Sequence, residues 1–379
     1  MRAVARGSAC LENKPDRITV RPLHTKRVTV YDIAEKAGVS HTTVALALRN
    51  HHRISEQRRK QINRIAKEMG YAPDPFLSTL SSYRAQINPA KVQSAIAWIN
   101  HWEQPEQLRG AYREFDSYWR GAQAAAKRFG YRLDEVRWEA DYSAKRFEQI
   151  LLTRGIRGVL VPPHTVAPDW GDFDWSKFSV IRFGLSVPSP DSHLVTADQL
   201  RAVLMAVRKI KELGYQRIGL VMPEDADQRL GGNFIGGFSA ARQFYKLPAV
   251  APFLIEERYY TEAPEKCLRL LQQWLTRHKP DALLTFVTQV PAMLQRLGWR
   301  IPQDIAVAGT GIDVPVDAGI DQHSEAIGRM AVEMLVSQIN LNERGEPADP
   351  CRILIESRWR DGSTMPPLKR RAARTAKSL

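Results

Sequence analysis

The chain has 379 residues, of which 44% are hydrophobic and 25% charged, with a formal net charge of +14, a globular composition at a length that exceeds one ordinary domain of ~100–200 residues. No apolar run approaches the ~18 residues of a membrane span. Cys10, Cys267 and Cys351 lack any CxxC or Cys/His spacing, so neither a disulfide framework nor a zinc site is expected and the cytoplasm is the predicted location.

The charge is unevenly placed. Residues 1–90 hold 16 Lys and Arg against 7 Asp and Glu, residues 91–365 hold 34 against 34, and residues 366–379 hold 5 against none. Basic ends on a neutral core point to a polyanion, nucleic acid above all, as partner of the front and to a separate task for the core. Solubility alone is the alternative reading of the ends.

In chain order, residues 1–27 carry Arg2, Arg6, Lys14, Arg17, Arg21, Lys26 and Arg27 without the apolar region of a secretory signal, and read as a disordered basic arm. Thr29 and Asp32 have capping-box spacing, and Ile33, Ala34 and Ala37 then share one helical face that ends at Gly38. Ser40 is an N-cap for a second helix with Val44, Ala47 and Leu48 inward and Thr42, Ala45, Leu46 and Arg49 outward. A third helix, from about Ser55 to Met69, turns Ile62, Ile65, Ala66 and Met69 to the same small core, and Gly70 closes it. The three helices form an expected headpiece over 28–73. Residues 74–91, with Pro75 and Pro89, read as a hinge whose helicity is conditional.

From Gln93 onward, the runs "SAIAWIN", "RGVLVPP", "SVIRF", "RIGLVM", "DALLTF" and "DIAVAG" alternate with helical patterns near 117–129, 143–154, 198–213, 234–245, 262–277 and 323–342. Such alternation predicts parallel sheets wrapped by helices, and the length predicts two lobes. With a fresh start after the Pro188–Pro190 turn, the expected boundaries are 92–190 with 314–345 for lobe 1, 191–313 with 346–362 for lobe 2, and a basic tail over 363–379. The fold class is thus an all-α helix-turn-helix headpiece plus an α/β core of two doubly wound parallel-sheet lobes.

A short helix with small polar residues facing outward fits the major groove of B-DNA. Thr42 and Thr43 can bond phosphates or base edges, His41 can donate or accept, Arg49 can reach a guanine or a phosphate, and Leu46 can pack on a thymine methyl. In the core, open α/β sheets bind ligands beyond the carboxyl ends of their strands. That rule selects Asn100, His101, Trp102, Pro163 and His164 in the first lobe, and Glu224 to Asn233 and Asp313 in the second. His101, Trp102, His164, Asp225, Arg229, Asn233 and Asp313 are the candidate effector ligands, with Trp102 stacking on a sugar face and the acids, Arg229 and Asn233 bonding hydroxyls. No G-x-G-x-x-G, P-loop, H-E-x-x-H or nucleophile elbow occurs, so no catalytic residue, cofactor or metal is expected.

The stretch "VTVYDIAEKAGVSHTTVALALRN…ISEQRRKQINRIAKEMGYAPD" closely resembles the DNA-binding headpiece of the lactose-repressor (LacI/GalR) family of bacterial transcription regulators, without a gap over about fifty residues. The resemblance implies a hinge helix followed by a two-lobed core similar to periplasmic sugar-binding proteins. It implies DNA contacts from Thr29, Tyr31, Ser40, His41, Thr42, Thr43, Leu46, Arg49, Arg53, Ser55 and Tyr71, with His41, Thr42 and Leu46 choosing bases. Leu80 matches the leucine that family members wedge into the minor groove. The chain departs from the pattern at Asp74 and Pro75, at Phe234 where an effector-binding Arg is common, and at "GTGID", which moves an acid to Asp313. The expected function is sequence-specific regulation of transcription by a homodimer on a pseudo-palindromic double-stranded operator, modulated by a small polar, sugar-like effector in the inter-lobe cleft. The alternatives are a cytoplasmic sugar sensor whose front module docks to protein, and an enzyme fused to a DNA-binding module.

Overall fold

A computed structural model of the chain describes residues 28–48, 54–71, 94–102, 112–164, 166–256 and 258–368. They belong to two compact units that divide between Pro75 and Phe76. The basic arm, the hinge residues 74–91, and Arg49, Arg53 and Leu80 lie outside the described residues.

In the first unit, α1 (Val30–Ala37) starts at a reciprocal capping box: the Asp32 amide donates to Thr29 Oγ1 at 3.3 Å and the Thr29 amide donates to Asp32 Oδ2 at 2.7 Å. Gly38, at φ 63°, ends the helix in the left-handed region that glycine enters without a Cβ penalty. The next helix, α2 (His41–Leu48), is capped by Ser40, whose Oγ accepts the Thr43 amide at 3.1 Å. Ser55 caps α3 (Glu56–Glu68) in the same way through the Arg58 amide, at 3.4 Å. Ile33, Ala34, Val44, Ala47, Ile62 and Ala66 form the shared core. Short helices are marginal alone, so the three hold one another through this core.

The second unit contains two six-stranded sheets among the described residues. The first lobe runs β1 (Ser94–Asn100), α4 (Arg113–Arg128), β2 (Tyr131–Arg137), α5 (Ala144–Thr153), β3 (Gly158–Val161), β4 (Ser179–Phe183) and β5 (His193–Ala197). The second runs α6 (Gln199–Glu212), β6 (Ile218–Pro223), α7 (Glu224–Arg229), α8 (Asn233–Phe244), β7 (Phe253–Ile255), α9 (Tyr259–Glu262), α10 (Pro264–His278), β8 (Ala282–Thr285), α11 (Val290–Arg296), β9 (Ala306–Gly309) and β10 (Gly319–Asp321). The chain then returns through α12 (Ser324–Leu341) and β11 (Arg352–Ile355) to the first lobe and ends with β12 (Arg358–Arg360) on the second. Both sheets repeat one order, β2-β1-β3-β4-β5-β11 and β7-β6-β8-β9-β10-β12, and only β12 pairs antiparallel. Each reverses direction between its first and third strands, the switch point where open α/β sheets bind ligands. No helix among the described residues is long and apolar enough to cross a membrane.

Four of the expected boundaries are corrected. β5 belongs to the first sheet, paired with β4, although its sequence reads as the start of lobe 2. β10, expected in lobe 1, pairs with β9 in the second sheet, and β11, expected in lobe 2, pairs with β5 in the first. The chain crosses between lobes three times, and at one crossing Asp198 alone separates a strand of the first lobe from a helix of the second. Residues 363–368, expected in the tail, are fastened to lobe 2: the Ser363 and Thr364 amides donate to Asp317 at 2.7 and 2.9 Å, and Leu368 N donates to Leu213 O at 2.8 Å.

In the first lobe α4 and α12 cross closely at two glycines. A Cβ on Gly121 would lie 1.9 Å from the Glu325 carbonyl oxygen, and one on Gly328 would lie 2.0 Å from that of Tyr118. The N-termini of these helices, with Glu114 and Ser324, are thereby brought together at the cleft.

Candidate nucleic-acid interface and ligand cleft

On the headpiece, His41 and Thr42 are exposed at the start of α2, Thr43 and Leu46 are half-buried, and Ser40 and Ser55 are exposed with their hydroxyls engaged in capping. Thr29 is likewise exposed and tied to Asp32. Tyr31 is 67% exposed, and its ring stacks on His41 with centroids 4.9 Å apart and planes at 30°. Tyr71 packs half-buried against the headpiece core. The outward start of α2 therefore presents an imidazole and a hydroxyl, with the Tyr31 ring of α1 stacked on the imidazole, groups able to meet base edges and phosphates. Leu46 is half-buried, less exposed than an outward position implies.

In the core, a cavity of about 190 Å3 lies between the lobes at the carboxyl ends of the strands. Tyr112, Glu114, Phe115, Tyr118, Pro163, His164, Leu185, Ser186 and Thr196 line it from the first lobe; Gln199, Ala226, Arg229, Leu230, Phe286, Thr288, Thr310, Asp313 and Val314 line it from the second. Polar ties cross it at the start of α4, whose N-cap Tyr112 offers no side-chain acceptor. The second lobe supplies one: the Glu114 amide donates to Asp313 Oδ1 at 3.1 Å. In return Ile312 N donates to Glu114 Oε1 at 3.0 Å, and Arg113 Nη1 donates to the Ile312 carbonyl at 3.2 Å. Ser324 Oγ donates to Glu114 Oε2. Gly311 makes the approach possible, since a Cβ there would sit 2.7 Å from Glu114 Oε1.

Burial raises the Glu114 carboxyl to about 7, against the pull of the Ser324 and Ile312 hydrogen bonds and with the help of Asp313 and Asp321. Burial also raises Asp313, opposed by the backbone amides of Glu114 and Arg113. His164 moves the other way, to about 4, because burial disfavours the imidazolium. Its Nε2 accepts from the His101 amide at 3.1 Å and its Nδ1 lies 2.8 Å from the Pro162 carbonyl, so the neutral form protonated on Nδ1 satisfies both.

Of the seven candidate effector ligands, the structure brings His164, Arg229 and Asp313 to the cavity. The other four are not among its lining residues. His101 packs its ring edgewise on Trp138 and Trp170, and Trp102 stacks on His164 with centroids 5.8 Å apart, behind the lining. Asp225 pairs with Arg229 at 3.7 Å, and Asn233 Nδ2 donates to the Leu230 carbonyl at 2.8 Å at the start of α8. The most connected polar residue of the cleft, Glu114, was not singled out from the sequence, nor were Gln199, Thr310 and the aromatic group Tyr112, Phe115, Tyr118 and Phe286. An acid in the first turn of a helix is ordinary in sequence; only the tertiary meeting with Ile312 and Ser324 distinguishes it.

Residues 29–74 match the model of the bacterial regulatory proteins, lacI family. Residues 207–365 match the periplasmic binding protein-like domain. The chain is 23% identical over 300 residues to the HTH-type transcriptional regulator DegA of Bacillus subtilis (strain 168), covering 75% of this chain and 81% of that one. It is 24% identical over 348 residues to the HTH-type transcriptional repressor CytR of Escherichia coli (strain K12), covering 88% and 96%. Among solved structures, the transcriptional regulator CelR–cellobiose complex shares the fold with a TM-score of 0.57 at 19% identity, over 89% of this chain and 100% of that one. The lac repressor dimer bound to operator and the anti-inducer ONPF does so with a TM-score of 0.51 at 17% identity, over 90% and 99%. With a matching headpiece, two doubly wound lobes around a cleft, and regulators among its relatives, the chain belongs to the lacI family of bacterial regulatory proteins and is a DNA-binding regulator of transcription.

Proposed function

We propose that the protein acts in the cytoplasm as a homodimer on a pseudo-palindromic operator, and that a small polar effector in the inter-lobe cleft changes its affinity for that operator. The observation that carries the reading is the exposed start of α2, where His41 and Thr42 stand free of the headpiece core with Tyr31 stacked beside them. One such helix reaches only a few base pairs, so specificity in a genome requires two, and two-fold symmetry of the protein then calls for two-fold symmetry of the site. Arg49, Arg53 and the Leu80 wedge belong to the same proposal as phosphate, base and minor-groove contacts. In the core, the ties from Glu114 to Ile312 and Asp313 join the lobes directly, so a molecule binding among them acts on lobe closure. A coupling of ~1–3 kcal/mol between cleft and operator would give ~5–150-fold regulation.

Fluorescence anisotropy on a labelled operator duplex tests this. The wild-type protein binds as two chains per duplex, His41→Ala and Thr42→Ala weaken binding to the operator more than to random duplex, and a cleft-binding molecule shifts the titration. Equal weakening on both duplexes would remove these residues from base readout. A shift that survives in cleft variants would place regulation elsewhere.

A further inference from the structure

We infer that the molecule this cleft selects is a small organic cation, a protonated amine on an apolar or aromatic body, rather than a neutral sugar. The inference rests on the reading that the cleft is a ligand site and names the chemistry of the ligand. Two carboxyls from opposite lobes, Glu114 and Asp313, meet in the lining; among the described residues no cation lies within ion-pair distance of either, and the Arg113 charge acts on Asp313 from farther away. The nearby Arg113 guanidinium donates instead to the Ile312 carbonyl. The cationic side chain in the lining, Arg229, already faces Asp225 at 3.7 Å, and His164 is neutral with both ring nitrogens on the backbone. Gln199, 8% exposed and part of the lining, adds an acceptor, since its Oε1 has no partner.

Two donors at the cleft are spent on the protein itself. Gln322 Nε2 donates to the Thr310 carbonyl at 2.9 Å, and the Ser324 hydroxyl donates to Glu114. What remains in the lining is the unpartnered Gln199 acceptor and, once Glu114 is ionised, a pair of acids of which only Asp313 feels the Arg113 charge. A sugar hydroxyl brings a donor and needs an acceptor and a donor in return, whereas an ammonium brings three donors and a charge. Phe115, Tyr112 and Phe286 supply ring surface for the apolar body and for cation–π contact. The raised Glu114 carboxyl fits the same account: a bound ammonium favours the ionised form, so binding near pH 6 expels a proton.

Isothermal titration calorimetry of the full-length protein tests this with benzylamine and agmatine as cationic probes and glucose and cellobiose as neutral ones, at pH 6 and pH 8 in buffers of different ionisation enthalpy. An amine probe is expected to bind at least ~10-fold more tightly than either sugar, more tightly at pH 8 than at pH 6, and with proton release at pH 6. Glu114→Gln and Asp313→Asn each weaken it ~10-fold or more, and Gln199→Met, which leaves the inter-lobe ties in place, weakens it less. Operator binding and circular dichroism confirm that each variant is folded, and Gln199→Met stands in if the acid variants are not. Sugar binding without amine binding would overturn the cation and leave the ligand cleft standing. Binding of neither class would overturn the cation and count against the cleft as well. Amine affinity unchanged in all three variants would place the probe elsewhere and also overturn the proposal.

Discussion

Thr29 serves its helix twice, accepting the Asp32 amide and holding the Asp32 carboxylate against its own amide and hydroxyl. Thr29→Ala is therefore expected to destabilise the headpiece by ~0.5–2 kcal/mol, read as a lower melting temperature. Leu46→Arg puts a guanidinium on the half-exposed side of α2 and should change the preferred operator more than the overall affinity; selection returning the wild-type site would remove Leu46 from readout. In the core, two buried groups give opposite pH dependence. Glu114 titrates near about 7 when folded against an ordinary 4.5, so the folded state holds the extra proton and stability falls as pH rises through that window. His164 titrates near about 4 against an ordinary 6.5, so stability falls as pH drops through that window. The two slopes offset each other near pH 5–6 in the wild type. Glu114→Gln removes the Glu114 slope and leaves the histidine slope without that offset, so urea denaturation should show a core more stable than wild type at pH 8 and a steeper loss towards pH 4, by roughly 1–3 kcal/mol in each case. The positions of His164 and Asp313 were legible as strand-end loops, but their roles were not. His164 is locked to two backbone groups and Asp313 caps a helix of the other lobe, and both facts arise only when distant segments meet.

At the scale of elements, the longer core helices were legible to within a few residues: α4, α5, α6, α8, α10 and α12 all fall where the helical patterns place them. Short or half-exposed elements were not. β2 buries only Leu133 and Val136 of its seven residues and lacks a period-two pattern, β7 and β10 span three residues each, and α7 follows β6 without a separating turn signal. Sheet membership was the least legible feature, because β5 runs into α6 across Asp198 alone while the two pack in different lobes. No local pattern encodes that crossing. The α4–α12 contact was equally hidden, since Gly121 and Gly328 sit inside helices where glycine is unfavourable and carries no periodic signal. Gly328→Ala should force the helices apart, because its Cβ would overlap the Tyr118 carbonyl, and cost ~1–3 kcal/mol or more. By separating Glu114 from Ser324 it should also loosen the cleft, which thermal melting of the core and probe binding read together.

At the scale of the molecule, the sequence divides its labour by charge: 16 basic against 7 acidic residues over 1–90, and balance over 91–365. The helix-turn-helix unit and the two α/β lobes were legible because each has its own period of apolar residues and its own composition. Phosphate neutralisation by the basic unit predicts operator binding that weakens steeply with salt, the logarithmic slope falling by about 1 for each phosphate-contacting Lys or Arg removed. Arg49→Ala and Arg53→Ala should each show that drop in a salt titration. The central claim is that this headpiece reads a two-fold DNA site, and in vitro selection of randomised duplex DNA by the purified full-length protein tests it most directly. The expected result is enrichment of an inverted repeat with a fixed centre, lost in His41→Ala. Recovery of no sequence above background, or of a single half-site without symmetry, would contradict it.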